Sequence, residues 1–184
     1  MIKTARYARE HKVPYLGICL GMQVAVIEAA RTLCGYSDAT SEEFDAVAKH
    51  RVVIFMPEGS KEVMGGTMRL GTKTTLFTPD SEWSKLRAMY GLAETMDERH
   101  RHRYEVNPDY IEELEKAGLH FIGRDETGKR MEVVELKDHP FFVGVQAHPE
   151  YTSRVLAPSL TYLSFVAASA GCLEQITKEQ NDRR

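Results

Sequence analysis

The chain is predicted to fold as an α/β domain, because short apolar runs typical of buried strands are interspersed with helical segments. The clearest pair is the strand Val13–Ile18 followed by the helix Met22–Leu33, with Gly35 just past the helix end. Near the other end, the apolar strand Phe141–Gln146 precedes the helix Ser159–Ala170. This order of elements favours a sheet covered by helices.

The elements before residue 107 are assigned from local patterns of apolar, capping and turn residues. They comprise two helices, one of them capped by Asp and Ser, a polar loop region (the excursion named below) and several extended segments. In chain order these are the basic helix Lys3–Lys12, the excursion Ser37–Lys49, the strand Val52–Met56 closed by Pro57, short strands at Thr67–Leu70 and Thr74–Phe77 around a turn, the helix Asp80–Tyr90, and the extended segment His102–Val106.

The C-terminal part is predicted to continue with a helix and a hairpin. Proline begins the helix Pro108–Ala117 and Gly118 ends it, while the turn Asp125–Gly128 joins the strands Leu119–Gly123 and Met131–Leu136. Residues 1–173 are assigned to one domain and residues 174–184 to a polar tail, which is expected to fray after Glu174.

Composition is typical of a soluble enzyme domain. The 184 residues suffice for one core, and 42% hydrophobic with 28% charged residues exclude a disordered or membrane-embedded chain. Three cysteines at unrelated spacings predict no disulfide framework, and with no signal segment before the first helix they favour the reducing cytoplasm. A net charge of -3 gives no general attraction to nucleic acid.

The run from Pro14 to Gln23 places one cysteine between two glycines at a strand-to-helix turn. Such a turn closes tightly and lifts Cys19 above the sheet, where the Leu20 N–H can stabilise an oxyanion and the helix dipole can favour the thiolate. The alternative is core packing, the interpretation given to Cys34 and Cys172, which lack a glycine frame. The distant His-Pro-Glu segment decides between the two.

His148 and Glu150 follow the strand Phe141–Gln146, and Pro149 between them stops further sheet pairing. With one residue between them, both side chains can lie on the same side of the chain. Glu150 can then orient one imidazole nitrogen while the other faces a thiol, as in a catalytic triad. Together with the cysteine turn, this segment predicts nucleophilic catalysis by Cys19.

These motifs resemble the class I (triad) glutamine amidotransferases, and within them the glutaminase domains of the CTP synthase family. The similarity runs over nearly the whole chain, and its middle segments are those typical of CTP synthases. The matching segments are Gly17–Gln23, Ser41–Asp45, Met64–Gly71, Glu98–Asn107 and Phe141–Tyr151.

The resemblance implies a three-layer, flavodoxin-like sandwich with a mostly parallel central sheet. In the family, further strands and a Pro-Gly-Gly-Phe-Gly-type loop precede the segment that begins here at Met1. The chain is therefore expected to be a glutaminase domain that lacks its first strands and the loop's oxyanion donor.

The resemblance also implies hydrolysis of the side-chain amide of L-glutamine by Cys19, His148 and Glu150, with Leu20 as an oxyanion donor. The ammonia would aminate UTP to CTP. No cofactor or metal is expected in this domain, since ATP and Mg²⁺ belong to the amidoligase domain and GTP is an allosteric activator. Whole enzymes of the family form homotetramers; neither nucleic acid nor a membrane is an expected partner.

Substrate-binding residues are carried over by position. Glu43 would pair with the α-amino group of glutamine, Arg103 would bind its carboxylate, and Gln23 is a further contact. Without the resemblance, Glu43 would be interpreted as a solvated acidic loop residue and Arg103 as part of a solvated basic face. The alternation of Arg103 with histidines and Tyr104 instead indicates a strand with two distinct sides.

Two other patterns are interpreted without a metal or phosphate. His100 and His102 resemble a ligand pair, but no third ligand is spaced to complete a zinc site. The loop around Gly65 lacks the ending of a P-loop, and the resemblance places its Arg69 at the domain boundary or near GTP. Rival functions are another Cys-His-Glu amidotransferase, a γ-glutamyl hydrolase, or a catalytically impaired module.

Overall fold

The protein is described by a computed structural model that covers residues 1–56 and 68–184. Its strands and helices alternate irregularly along the chain. The strands are β1 (Tyr15–Ile18), β2 (Thr40–Ser41), β3 (Arg51–Phe55), β4 (Arg69–Phe77), β5 (Thr95–His102), β6 (Tyr104–Val106), β7 (Leu119–Asp125), β8 (Met131–Leu136) and β9 (Phe142–Val145). The helices are α1 (Ile2–Glu10), α2 (Leu20–Thr32), α3 (Lys85–Met89), α4 (Ile111–Lys116), α5 (Leu160–Ser169) and α6 (Leu173–Asp182).

The strands form two sheets. The larger has six strands in the order β1-β9-β8-β7-β4-β5, and the smaller has the order β2-β3-β6. Within the described parts of the chain, β1 and β9 are the one parallel pair of the larger sheet, whereas its other four neighbouring pairs are antiparallel.

The α/β class is confirmed, but the expectation of a mostly parallel sheet is wrong for the described residues. The connections between β7, β8 and β9 are short, and short connections permit only antiparallel neighbours. The parallel pair β1 and β9 instead comes from opposite ends of the chain.

Helix α2 packs closely on the parallel pair because two glycines face it. Gly17 on β1 and Gly144 on β9 are register partners. A Cβ at Gly17 would lie 2.6 Å from the carbonyl carbon of Gly21, and a Cβ at Gly144 would lie 3.0 Å from Met22 Cγ. Any larger residue would therefore push the helix, and the turn that precedes it, away from the sheet.

A buried ion pair holds α1 against α2. Glu28 is fully buried, and its two carboxylate oxygens accept hydrogen bonds from Arg9 Nε and Nη2 at 2.9 and 2.8 Å. Arg9 Nη2 and the Thr32 hydroxyl complete this polar contact at 3.1 Å. Since Glu28 lies in the middle of α2, the pair fixes α1 along the helix that begins at the cysteine turn.

Most of the predicted elements are present with shifted ends, but the segment between residues 67 and 90 was partly wrong. Thr67 lies outside the described residues, and β4 is one continuous strand because it pairs along its length with β5, a strand not predicted before His102. The predicted helix Asp80–Tyr90 shortens to α3, which begins after Ser84, whose hydroxyl accepts a hydrogen bond from the Arg87 N–H.

The prediction of a frayed tail was also wrong. The segment forms helix α6, and Leu173 at its start packs against the apolar cluster around Phe141. The Asn181 side-chain amide donates to the Ala88 carbonyl at 3.1 Å, which joins the end of α6 to α3. None of the helices within the two described ranges has the length and apolar character needed to cross a bilayer.

Candidate active site

Cys19 lies in a sharp turn between β1 and α2. Its backbone has φ 50° and ψ -103°, a left-handed conformation that costs a non-glycine residue about 1–3 kcal/mol. The Cys19 N–H donates to the Val145 carbonyl at 2.8 Å, so the turn is anchored on β9. The predicted cysteine elbow is confirmed, and its strain displays the thiol at the start of a helix.

The predicted histidine comes to the same edge of the sheet. Ile18 and Val145 are register partners at the carboxyl ends of the parallel strands β1 and β9. Cys19 directly follows the first strand, and His148 follows the second after two intervening residues. Parallel pairing therefore brings the two ends of the chain together at the position of the thiol.

His148 is oriented by Glu150. The distance from His148 Nδ1 to Glu150 Oε1 is 2.6 Å. The backbone N–H of His148 donates to the Arg99 carbonyl at 2.7 Å. With Nδ1–H directed at the carboxylate, the lone pair of the neutral ring lies on Nε2. Nε2 is buried and has no hydrogen-bond partner among the described residues, so it is available to accept a proton.

The thiol of Cys19 is held by groups other than the histidine. The Gln146 side-chain amide donates to Sγ at 3.5 Å, and Sγ lies 3.9 Å from the Arg101 carbonyl oxygen. The free His148 Nε2 means that thiol and imidazole make no hydrogen bond with each other in this state. Catalytic hydrogen bonds commonly tighten only when substrate is bound.

Burial raises the pKa of the Cys19 thiol, and the carboxylates of Glu150 and Glu43 raise it further. The Leu20 N–H and the Gln146 amide act in the opposite direction by hydrogen bonding to the sulfur. The sequence-based expectation that the helix start favours the thiolate is therefore outweighed by desolvation. The resting thiol is neutral, so a general base is needed to make it nucleophilic.

The predicted substrate-binding residues have different environments. Glu43 is exposed, and its charge reaches Cys19, as the raised pKa of the thiol indicates. Gln23 is buried, and its amide nitrogen donates to the Tyr104 carbonyl at 3.0 Å and to Gln146 Oε1 at 3.2 Å. Arg103 is half-buried at the junction of β5 and β6, where its carbonyl accepts from Met56 N–H at 2.9 Å.

Gln146 is a site residue that sequence reasoning missed. It is buried, its amide donates to Cys19 Sγ, and its carbonyl oxygen accepts from Gln23. Its backbone N–H donates to the Glu132 carbonyl at 2.8 Å. The sequence contained a signal for this role, because Gln146 is a polar residue at the end of an apolar strand, two residues before His148. A residue that only fills an apolar core is usually apolar.

The prediction that no third possible ligand accompanies His100 and His102 is wrong. Glu132, from β8, is buried with them, and the possible ligand atoms of the three lie within 4.8 Å of one another. However, Glu132 Oε2 lies 2.8 Å from His100 Nε2, and its other oxygen accepts a hydrogen bond from Arg69. The guanidinium already neutralises the carboxylate, which opposes binding of a divalent cation.

Arg69 itself therefore points into this buried cluster rather than away from it. Its predicted role at a domain boundary or toward GTP stays a prediction. The preceding residues of the same motif, Met64–Thr67, lie outside the described residues.

Comparison with known proteins identifies the family. A model of the family described as class-I glutamine amidotransferase matches residues 1–168. The chain belongs to the class-I glutamine amidotransferase family. The predicted family and its fold are thereby confirmed, with the sheet mixed as described above.

Individual relatives of this class-I amidotransferase domain are CTP synthases. The chain is 73% identical over 179 residues to CTP synthase of Neurospora crassa and 57% identical over 175 residues to that of Schizosaccharomyces pombe. These matches cover 97% and 95% of this chain but only 31% and 29% of the two relatives. The chain thus spans less than a third of their length.

A solved structure with bound acivicin, the glutaminase domain of Trypanosoma brucei CTPS, has a similar fold. Its TM-score is 0.85 at 44% identity, and the match covers 92% of this chain and 65% of that one. The described strands and helices of this chain therefore share the fold of that domain.

Proposed function

We propose that this domain hydrolyses the side-chain amide of L-glutamine, with Cys19 as nucleophile, His148 as general base and acid, and Glu150 as the group that orients His148. The observation that carries the proposal is the 2.6 Å hydrogen bond between His148 and Glu150 at the edge where Cys19 stands in its strained turn. Nucleophile, base and orienting carboxylate are the three components that this chemistry requires.

The proposed reaction begins when His148 Nε2 takes the proton of Cys19 and the sulfur attacks the amide carbon. The backbone N–H of Leu20, which follows Cys19 at the start of α2, is the proposed oxyanion donor of this chain. His148 then gives its proton to the leaving ammonia, and a glutamyl thioester remains. Water, deprotonated by His148, cleaves the thioester and releases glutamate.

Substrate binding is proposed to use Glu43 for the ammonium group and Arg103 for the carboxylate of glutamine. The exposed side chain of Glu43 and its electrostatic effect on Cys19 support a location at the entrance of the site. Gln23 is proposed to act by holding Gln146 and the Tyr104 carbonyl in place, since its two amide hydrogens are donated to them.

The whole protein is proposed to pass the ammonia to UTP and make CTP, in keeping with the curated relatives. ATP and Mg²⁺ would bind in the amidoligase domain and GTP would activate, with Arg69 near GTP or the domain boundary. A homotetramer in the cytoplasm is the proposed form. The glutaminase domain itself is proposed to need no cofactor.

The test uses two proteins, this chain alone and a chimera. In the chimera, this chain replaces the matched 179 residues of Neurospora crassa CTP synthase. We expect the chimera to release ammonia and glutamate from glutamine, but not ammonia from asparagine. Acivicin is expected to protect Cys19 from alkylation by iodoacetamide. A folded chimera that cleaves γ-glutamyl peptides but not glutamine, or neither, would contradict the proposal.

Replacing Glu43 by Gln is expected to change thiol reactivity and substrate binding in opposite directions. Removing its charge lowers the pKa of Cys19, so alkylation at neutral pH should become about two- to threefold faster. The same change should raise KM for glutamine about 10- to 100-fold, because a charge-assisted hydrogen bond to the ammonium group is lost.

The matched control for this prediction is Asp45→Asn, which removes an exposed carboxylate of the same loop. We expect it to leave both quantities within about twofold of wild type. An unchanged KM in Glu43→Gln would remove Glu43 from the substrate site.

A further inference from the structure

We propose that Glu98, on strand β5, is a positioning residue that holds the His148–Glu150 turn through the hydroxyl of Thr152. The inference deepens the proposed glutaminase function and rests on it. Glu98 belongs to a segment that the sequence analysis used only for recognising the family.

Strand β5 runs behind the turn and contacts it at both ends. Before the turn, the Arg99 carbonyl accepts the His148 N–H at 2.7 Å. After the turn, Glu98 Oε2 accepts the Thr152 hydroxyl at 2.7 Å. Between these contacts, the Arg99 guanidinium lies 5.9 Å from the centroid of the Tyr151 ring. Two consecutive residues of one strand therefore fix the segment that carries the base and its orienting carboxylate.

Thr152 connects Glu98 to Pro149, the residue directly after His148. Its hydroxyl oxygen lies 2.7 Å from Glu98 Oε2 and 3.1 Å from the Pro149 carbonyl oxygen. The hydroxyl has one hydrogen, and its shorter contact is to Glu98, so the carboxyl group is its main partner. Movement of Thr152 would therefore move the short helical turn Pro149–Tyr151 and with it Glu150.

The environment of Glu98 is unusual for a residue that only stabilises the fold. The side chain is 5% exposed, and burial raises its pKa, while hydrogen bonds from Thr152 and Tyr90 lower it. Among the described residues, its side-chain hydrogen bonds come from hydroxyl groups rather than from a basic residue. A buried carboxylate of this kind adds little net stability compared with an apolar residue, but its hydrogen bonds fix the direction of the groups that donate to it.

Tyr90 fixes the carboxylate from the other side. Its hydroxyl donates to Glu98 Oε1 at 3.3 Å and lies 3.3 Å from the Thr161 hydroxyl in α5. Glu98 Oε1 is held by the Tyr90 hydroxyl, and Oε2 accepts the hydroxyl of Thr152 next to the His148–Glu150 turn. The carboxylate therefore restrains the position of His148 relative to the sheet. Misplacement of a catalytic group by about 1 Å can cost about 100-fold in rate.

The experiment measures kcat and KM for glutamine in the chimera, together with melting temperature, for Thr152→Val, Thr152→Ser and Glu98→Gln. Thr152→Val removes the hydroxyl with little change of shape and should lower kcat about 10- to 100-fold with KM within about threefold. Thr152→Ser keeps the hydroxyl and should restore kcat. Glu98→Gln combined with Thr152→Val should be no slower than Thr152→Val alone, since the two act through one contact.

The chain provides a matched control on the exposed face of the same strand. Asp97 also accepts a threonine hydroxyl, that of Thr74, at 2.8 Å. Asp97→Asn and Thr74→Val should leave kcat and KM at wild-type values, since this pair does not touch the turn.

The outcomes separate the inference from the proposed function. If the unsubstituted chimera hydrolyses glutamine but Thr152→Val keeps full kcat, the positioning role is wrong and the function stands. The role is also wrong if kcat falls only in proportion to the loss of folded protein, or if Thr152→Ser fails to restore it. If the unsubstituted chimera folds but does not hydrolyse glutamine, the proposed function itself is wrong.

Discussion

Replacing Cys19 by alanine is expected to reduce glutamine hydrolysis by about four decades or more. The reason is that this thiol is the proposed site of covalent attack, and His148 alone cannot form the thioester. The change removes only the sulfur atom from a half-buried side chain, so the fold and melting temperature should remain close to wild type.

The measurement is ammonia release from glutamine in the chimera, with CTP formation from free ammonia as a second readout. We expect Cys19→Ala to abolish the first and spare the second, because the proposed amidoligase chemistry does not use the thiol. Full glutamine-dependent activity in this variant would show that another group is the nucleophile.

Cys34 and Cys172 provide matched controls in the same chain. Cys34 follows the end of α2, and its thiol lies 3.7 Å from the Glu113 carbonyl oxygen. Cys172 lies at the start of α6, and its thiol is 3.6 Å from the Ala167 carbonyl oxygen. Alanine at either position should leave glutamine hydrolysis within about twofold of wild type. A comparable loss at either of them would make a general effect on folding the better explanation.

The second large effect is expected on stability, at the ion pair between α1 and α2. Replacing Arg9 by alanine leaves the carboxylate of Glu28, whose side chain is 1% exposed, without its two charged hydrogen bonds. An uncompensated buried charge of this kind costs about 3–5 kcal/mol in the free energy of unfolding. Urea unfolding of wild type and variant at the same pH measures this difference.

Arg6 is the matched control, because it lies on the same helix and also pairs with a glutamate. Its Nε is 2.8 Å from Glu10 Oε1, but both side chains are well exposed, at 57% and 39%. Arg6→Ala should therefore leave the free energy of unfolding almost unchanged. Equal losses in the two variants would show that water reaches Glu28 or that α1 contributes little to the folded domain.

The cysteine turn and the His-Pro-Glu segment were predictable because each is a local pattern. A strand that ends in Gly-Ile-Cys-Leu-Gly and continues as a helix has few other conformations, and the structure places Cys19 in the left-handed region as expected of such an elbow. The predicted two-sided character of the basic segment is confirmed as far as His102, because burial alternates strictly along β5. Arg103 itself lies at the bend between β5 and β6.

The predicted break between two short strands near Gly71 and the predicted fraying of the tail were wrong for a related reason. Gly71 has φ +84° and lies where the sequence predicts a turn, yet it is part of β4 because β5 pairs with the strand on both sides of it. Likewise, the polar segment after Leu173 is helical because α3 supplies a surface on which it packs. In both cases tertiary contacts outweighed local propensity.

The fold class, the Cys19 turn and the pairing of His148 with Glu150 were predictable from the amino-acid order, because they depend on residues that are neighbours along the chain. The three-dimensional fold was needed to show that Gln146 contacts the sulfur, that Glu132 joins the two histidines, and that Glu98 accepts the Thr152 hydroxyl. These contacts depend on the register of strands far apart in sequence, and a shift by one residue would direct each side chain to the opposite face.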